Sequence, residues 1–140
     1  MPEVLLATDA DWIHDEVEAA IGGDHEVRRV RRGDQVLGEV KASTPALVIL
    51  DLQIGNMGGM ATCLSLRHEA GAGRLPEVPI LMLLDRRADV FLARRSEADG
   101  WMVKPIDAFR LRKATAALLA GSTWTEGSVD STAAAVLPLG

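Results

Sequence analysis

Short strand-like runs alternate with helix-patterned segments along the first 120 residues of this chain, and no other feature narrows its possible folds as much. Residues 3–7, EVLLA, form a brief apolar run that breaks off at TDADW, the mark of a buried parallel strand. From Ile13 to Ile21, IHDEVEAAI repeats apolar residues at helical spacing until Gly22 and Gly23 stop it. Residues 26–31, EVRRVR, suit a short second strand; Gly33 and Asp34 punctuate, and QVLGEVKA follows as a second helix. Pro45 precedes ALVILDL, the most strand-like segment of the chain. The loop QIGNMGG leads to a third helix over Met60–Ala70, and a loop from Gly71 to Pro79 leads to a fourth strand, ILMLL, at 80–84. A short helix is expected over Ala88–Arg95, then a fifth strand over Gly100–Val103 that ends at Lys104-Pro105. Asp107 can cap a last helix running to Ala120.

Strands spaced in this way by helices imply parallel βαβ crossovers, and so an α/β, doubly wound fold with helices on both faces of one sheet. Ligands of such sheets bind at the carboxyl ends of the strands, beside the point where strand order switches. The residues expected there are Thr8, Asp9 and Asp11 after the first strand, Asp51 after the third, Leu84 and Asp85 after the fourth, and Lys104 after the fifth.

With 140 residues, 48% of them hydrophobic, the chain can build one real core and has little room for a second domain. The domain is placed at 1–120, and 121–140, rich in small residues and without periodicity, reads as a mobile tail on which Trp124 could dock back. That tail is too short for a helix-turn-helix output module, so a stand-alone domain is expected. A net charge of −5 speaks against nucleic-acid binding through bulk electrostatics. The Arg28-Arg29 and Arg31-Arg32 pairs are better explained as charges guarding an edge strand. Cys63 alone permits no internal disulfide, and its neighbours Met60 and Leu64 make it a buried apolar filler. Neither a signal peptide nor a membrane span is visible, so a cytoplasmic protein without a membrane partner is expected.

The strand-end residues suggest a chemistry. Magnesium takes oxygen ligands, keeps several waters and needs only one or two carboxylates plus a phosphate, which Asp9 and Asp51 could supply. A carboxylate such as Asp51 can also accept a phosphoryl group, and a lysine such as Lys104 would offset the transferring charge. Singly these residues mean little, since an aspartate at a strand end is usually a turn or cap residue. Strand, aspartate, glycine-rich loop and a later Lys-Pro together are far more specific.

ALVILDLQIGNMGG resembles the phosphoacceptor strand and loop of bacterial two-component response-regulator receiver domains, and EADGWMVKPID resembles their fifth strand with its lysine–proline pair. The resemblance covers roughly residues 2–120. It implies a flavodoxin-like five-stranded sheet in the order 2-1-3-4-5. It also implies Asp51 as phosphoacceptor, Lys104 as phosphate-pairing lysine, and Gln53 as the backbone carbonyl donor that joins Asp9 and Asp51 around magnesium. Met57 and Gly59 match the family loop, while Gly55 stands where a proline is common.

Two further departures from the family bear on function. The family usually carries two acids after the first strand; here the pair is Thr8-Asp9, with Asp11 close by, so magnesium binding should be weak. It usually has Thr or Ser at the end of strand four, where Leu84 stands and offers no donor. Trp101 occupies the family's rotating aromatic position, so the hydroxyl-and-aromatic switch lacks its hydroxyl half, and half-buried packing is the simpler role for Trp101.

The expectation is therefore an atypical receiver, not an enzyme, that signals by docking to a protein, a histidine kinase or a downstream effector, with phosphorylation of Asp51 only weakly coupled. The docking surface implied is the fourth helix, fifth strand and fifth helix, with Val90, Phe91, Leu92, Arg94, Arg95, Arg110 and Arg112, and this face could also pair two copies. One alternative is a conventional magnesium-dependent phosphorelay receiver using Asp9 or Asp11. Another, less favoured, is a flavodoxin-like flavin-binding or hydrolytic enzyme; TDADW puts two acids where a flavin phosphate loop would sit, and Gln53 stands where a DxD phosphatase needs its second acid.

Overall fold

The structure, a computed structural model, describes residues 1–126, so the part of the expected tail from 127 to 140 lies outside the described residues. Among the described residues five strands, β1 (Glu3–Ala7), β2 (Glu26–Val30), β3 (Leu47–Asp51), β4 (Ile80–Leu84) and β5 (Gly100–Val103), alternate with five helices. The helices are α1 (Asp11–Ile21), α2 (Val36–Ala42), α3 (Gly59–Gly71), α4 (Val90–Arg95) and α5 (Ala108–Leu119). All neighbouring strands are parallel, in the order β2-β1-β3-β4-β5, as expected for the flavodoxin-like arrangement.

The helices expected second and fourth are shorter than their sequence patterns. Each begins with a single tight 3-10 turn, at 33–35 and 87–89. Before α4 the Asp89 carboxylate accepts the Arg86 backbone N–H at 3.1 Å, which satisfies an amide at the start of that turn.

Period-two alternation divides each inner strand between two cores. Val4, Leu6, Leu47, Ile49, Leu81, Leu83 and Met102 face α1 and α5, where Ile13, Val17, Leu111 and Leu118 close the layer. Leu5, Ala7, Val48, Leu50, Met82, Leu84 and Trp101 face α2, α3 and α4, with Val36, Val40, Cys63 and Val90. Burial on both faces explains why β3 and β4 read as unbroken apolar runs.

The sheet has two edges, each protected in its own way. On β2, Arg28 pairs with Glu39 at 2.6 Å and Glu3 at 3.2 Å, and Arg29 and Arg31 reach Asp11 at 2.9 and 3.2 Å. The basic run is thus an ion-paired edge. On β5 the stretch after α5 lies alongside the strand, with Trp124 docked back as the sequence reading allows. Trp124 bridges Gly100 in parallel register and its carbonyl accepts the Trp101 N–H at 2.8 Å. A Cβ on Gly100 would stand 2.7 Å from that carbonyl oxygen, so only glycine admits so close an approach. Glu126 clips the segment down by accepting from Val103 N–H, Arg110 and the Trp124 indole.

Candidate functional site

The pleat that builds the two cores also builds the site. Asp51 continues the row of Leu47 and Ile49, Lys104 that of Met102, and Asp85 that of Leu81 and Leu83, so all three carry the α1–α5 side of the sheet past its carboxyl edge. Asp51 is only 2% exposed. Its Oδ1 accepts from Lys104 Nζ at 2.8 Å and from the Gln53 backbone N–H at 3.1 Å. Its Oδ2 accepts from the Thr8 hydroxyl at 2.7 Å. A buried carboxylate is tolerated only when paired and hydrogen-bonded, and Asp51 is both.

Lys104 lies between two carboxylates, donating to Asp85 Oδ1 at 2.9 Å as well as to Asp51. Burial presses the ammonium toward neutrality, but the hydrogen bonds to Asp51 and Asp85 outweigh that, and its pKa sits above the ordinary lysine value. The second oxygen of Asp85, Oδ2, is buried with no partner among the described residues. The Lys104–Pro105 peptide bond is cis.

The loop after β3 is held firmly. Gly33 N–H donates to Gly55 O at 3.0 Å, Asp34 N–H to Asn56 O at 2.8 Å, and the Thr62 hydroxyl to Met57 O at 3.0 Å. These bonds support Asn56 and Met57 at φ of 52° and 77°, a left-handed conformation that is costly for a side chain as large as Met57. Gly59 opens α3 directly behind Asp51, where a Cβ would stand 2.8 Å from the Asp51 carbonyl oxygen and from the Leu52 Cα. The loop also presents Gly55 N–H to Asp9 Oδ2 at 3.2 Å.

The structure brings Asp51, Lys104, Asp9 and Gln53 to one end of the sheet. Among the described residues no three His, Cys, Asp or Glu side chains form a ready metal cage. The donor chemistry fits magnesium in the form that keeps most of its waters: Asp9, Asp51 and the Gln53 main-chain carbonyl are the hard oxygen donors that would hold it, with Asp51 hydrogen-bonded to the Gln53 amide and Asp9 to the Gly55 amide of the following loop. Asp11, the stand-in acid, points elsewhere. Hydrogen bonds from Arg29, then Arg31, hold its carboxyl below its usual pKa on the β2 side of α1.

Leu84 is fully buried, and Trp101, expected half-buried, is 6% exposed in the same cluster. The indole Nε1 has no partner among the described residues, and the Arg94 guanidinium lies 5.9 Å from the ring centroid. Of the apolar docking residues expected on α4, Val90 is in the core because it faces the sheet, and Phe91 alone is well exposed. Cys63 is buried, its thiol donating to Ser96 O at 3.2 Å and pushed up to about 12 chiefly by desolvation.

Two partners of the site were not singled out from the residues: Thr8 as the donor to Asp51, and Asp85 as the second acceptor of Lys104. Their signal was there in the strand parity, which aligns position 85 with 51 and 104.

Comparison with known proteins agrees with this geometry. The family model of the response regulator receiver domain matches residues 4–116. The transcriptional regulatory protein AfsQ1 of Streptomyces coelicolor is 29% identical over 109 residues, which make up 76% of this chain and 46% of that protein. The DNA-binding response regulator MtrA of Mycolicibacterium smegmatis is 39% identical over 75 residues, 52% of this chain and 30% of that protein. This chain therefore spans less than half the length of these curated relatives. The expectation that nucleic acid is excluded rested on the charge of these 140 residues, and relatives named as DNA-binding regulators give it no support. Among solved structures, the receiver domain of NtrX from Brucella abortus superposes with a TM-score of 0.73 at 26% identity, covering 85% of this chain and 99% of that one. The chemotaxis response regulator CheY4 of Vibrio cholerae shares the fold with a TM-score of 0.73 at 24% identity, covering 83% of this chain and 97% of that one. No helix among the described residues is long and apolar enough to cross a membrane. Sheet order, the buried aspartate at the end of β3, the lysine–proline turn and the family match converge: the chain belongs to the response regulator receiver domain family of two-component signal transduction.

Proposed function

We propose that this chain is an atypical receiver in which Asp51 accepts a phosphoryl group from a histidine kinase or a small phosphodonor, with only weak coupling of that event to the rest of the domain. The observation that carries the reading is the buried Asp51 carboxylate at the end of the central strand, 2.8 Å from Lys104 Nζ. In the transfer an Asp51 oxygen attacks phosphorus. The new O–P bond forms as the donor's own bond to phosphorus breaks, and the electron pair leaves with the donor. Lys104 faces the charge on the phosphoryl oxygens, and the Thr8 hydroxyl and Gln53 N–H orient the carboxylate. Receiver domains generally bind magnesium for phosphorylation; Asp9, Asp51 and the Gln53 carbonyl would hold it here, weakly because Thr8 replaces an acid. When bound it supplies positive charge to the phosphoryl oxygens.

The weak coupling follows from Leu84. A hydrogen bond to a charged group contributes about 1.5–3 kcal/mol, comparable with the ~1–3 kcal/mol of a typical allosteric coupling. Leu84 contributes none, and Trp101 already packs against the same core, with little space to enter on phosphorylation.

Receiver domains act on kinases and effectors, and this one is read as a docking module, not an enzyme. The face formed by α4 and α5 offers Phe91 and Phe109, 59% and 65% exposed, with Arg95 and Lys113 lying 5.1 and 4.9 Å from their rings. Aromatic residues and arginine are enriched at interfaces, and the same face could pair two copies of the chain. Between the two helices the edge of β5 is lined by the Trp124–Glu126 clip, so a partner meets that segment and not a bare strand.

Incubation with acetyl phosphate and magnesium, followed by intact-mass spectrometry, tests the reading. One phosphoryl increment is expected, absent from Asp51→Asn. An increment that persists in Asp51→Asn would place the acceptor elsewhere. Beryllofluoride should then shift backbone amides around Asp51 and leave those of Phe91, Trp101 and Phe109 nearly unchanged. Large shifts across α4, β5 and α5 would favour a conventional, strongly coupled receiver.

A further inference from the structure

We propose that Asp85 is a built-in competitor for Lys104: it pairs with the lysine in the resting domain, and a phosphoryl group on Asp51 must displace it. This rests on Asp51 being the phosphoacceptor and adds what limits phosphoryl retention at that site. Three observations carry it.

First, Lys104 Nζ is shared almost equally, 2.8 Å from Asp51 and 2.9 Å from Asp85. An ammonium is a compact charge whose three donors follow the best arrangement of nearby anions.

Second, the two carboxylates depend on it unequally. Asp51 also accepts from Thr8 and Gln53, whereas the sole partner of Asp85 among the described residues is Lys104, and its Oδ2 is buried unpaired. Phosphorylation draws the lysine toward the phosphoryl oxygens. Asp51 then keeps its other donors, while Asp85 loses its only one and is left as a partly buried carboxylate facing a new negative charge. An unpaired buried charge is costly, and that cost opposes the phosphorylated state.

Third, the backbone around Asp85 is fixed, so the side chain has solvent on its exposed third and Lys104 as its protein partner among the described residues. Leu84 before it is locked in the core, and the backbone after it is committed to the turn in which the Asp89 carboxylate holds the Arg86 N–H. Asp85 is a positioning residue: it sets where the lysine points and touches none of the reacting atoms in the resting domain.

Beryllofluoride titration in the presence of magnesium, followed by NMR of the whole chain, tests this with the parent, Asp85→Ala and Asp85→Asn. Removing the charge should tighten beryllofluoride binding by at least about tenfold. Asp85→Asn preserves the shape of the side chain and should reproduce most of the gain if charge is the cause. The phosphorylated form made with acetyl phosphate should also persist longer in both variants. Equal affinity and equal lifetime in parent and variants, with Asp51 phosphorylated in all three, overturns the role of Asp85 and leaves the acceptor assignment standing. No phosphorylation and no beryllofluoride binding in any of the three overturns the acceptor assignment, and the role of Asp85 with it.

Discussion

Asp51 is held by different chemistry on its two sides. On the β1 side its Oδ2 takes a neutral hydroxyl from the fully buried Thr8, and the neighbouring acid Asp9 accepts a loop amide. On the β5 side its Oδ1 takes an ammonium that a second carboxylate also claims. The family usually places two acids after β1; this chain has one there and another, Asp85, after β4. Three carboxylates and one lysine are therefore present, but one negative charge stands beside the lysine instead of beside the metal position. Under the proposed function, the difference would weaken both cationic aids to phosphorylation: fewer charged ligands for magnesium, and a lysine with a prior partner.

Removing the lysine should have the largest effect, because both carboxylates on the β5 side depend on it. Lys104→Met is expected to cost about 3 kcal/mol in urea unfolding, since Asp51 loses its charged partner where it is almost wholly buried. The lysine pKa is raised in the folded chain, so its contribution is complete below the unfolded value near 10.5 and lost as pH rises through the folded value. The gap between variant and parent should stay constant through neutral pH and close in strong alkali. A variant as stable as the parent at pH 7 would mean that the β5 side is no better paired than the β1 side.

Restoring the missing acid attacks the comparison from the other side. Thr8→Asp replaces a donor to Asp51 with a like charge and should lower stability by about 2 kcal/mol without magnesium. Millimolar magnesium should return much of this, with affinity rising about tenfold over the parent. Thr8→Val, which only deletes the hydroxyl, should cost about 1 kcal/mol and show no such recovery. Thermal melts with and without magnesium distinguish the two.

The smallest effect is expected at Asp11. Asp11→Asn should leave magnesium affinity unchanged, because that carboxylate serves Arg29 and Arg31. Its pKa is lowered by those arginines, so whatever stability it adds is present above about 3.8 and fades as pH falls through the folded value. A small difference in melting temperature at pH 7 that disappears in acid is the expected pattern. A fall in magnesium affinity would instead make Asp11 a ligand and bring the β1 side back toward the family arrangement.

The sequence by itself determined the alternation of elements, the sheet class and the central strand that ends in Asp51. Each of these is local: helical spacing, apolar runs and turn residues are set by neighbours a few positions apart. Asp51 and Lys104 were legible for the same reason, since each ends a recognisable strand beside a distinctive loop. Tertiary structure decided which partners those residues take. Thr8 meets Asp51 across 43 residues, Lys104 meets Asp51 across 53, and Asp85 meets Lys104 only because β4 lies beside β5 with their pleats in phase. The same holds for Asp11, which could serve the site by its place in the sequence but is drawn away by two arginines on β2. Val90, apolar like Phe91, is buried because α4 turns that side toward the sheet. Trp124 and Glu126, in a stretch whose composition suggests mobility, are held by Gly100, Val103 and Arg110. Local pattern cannot report such pairings, because the energy of an ion pair or a strand contact depends on which chain ends the sheet order brings within a few ångströms of each other.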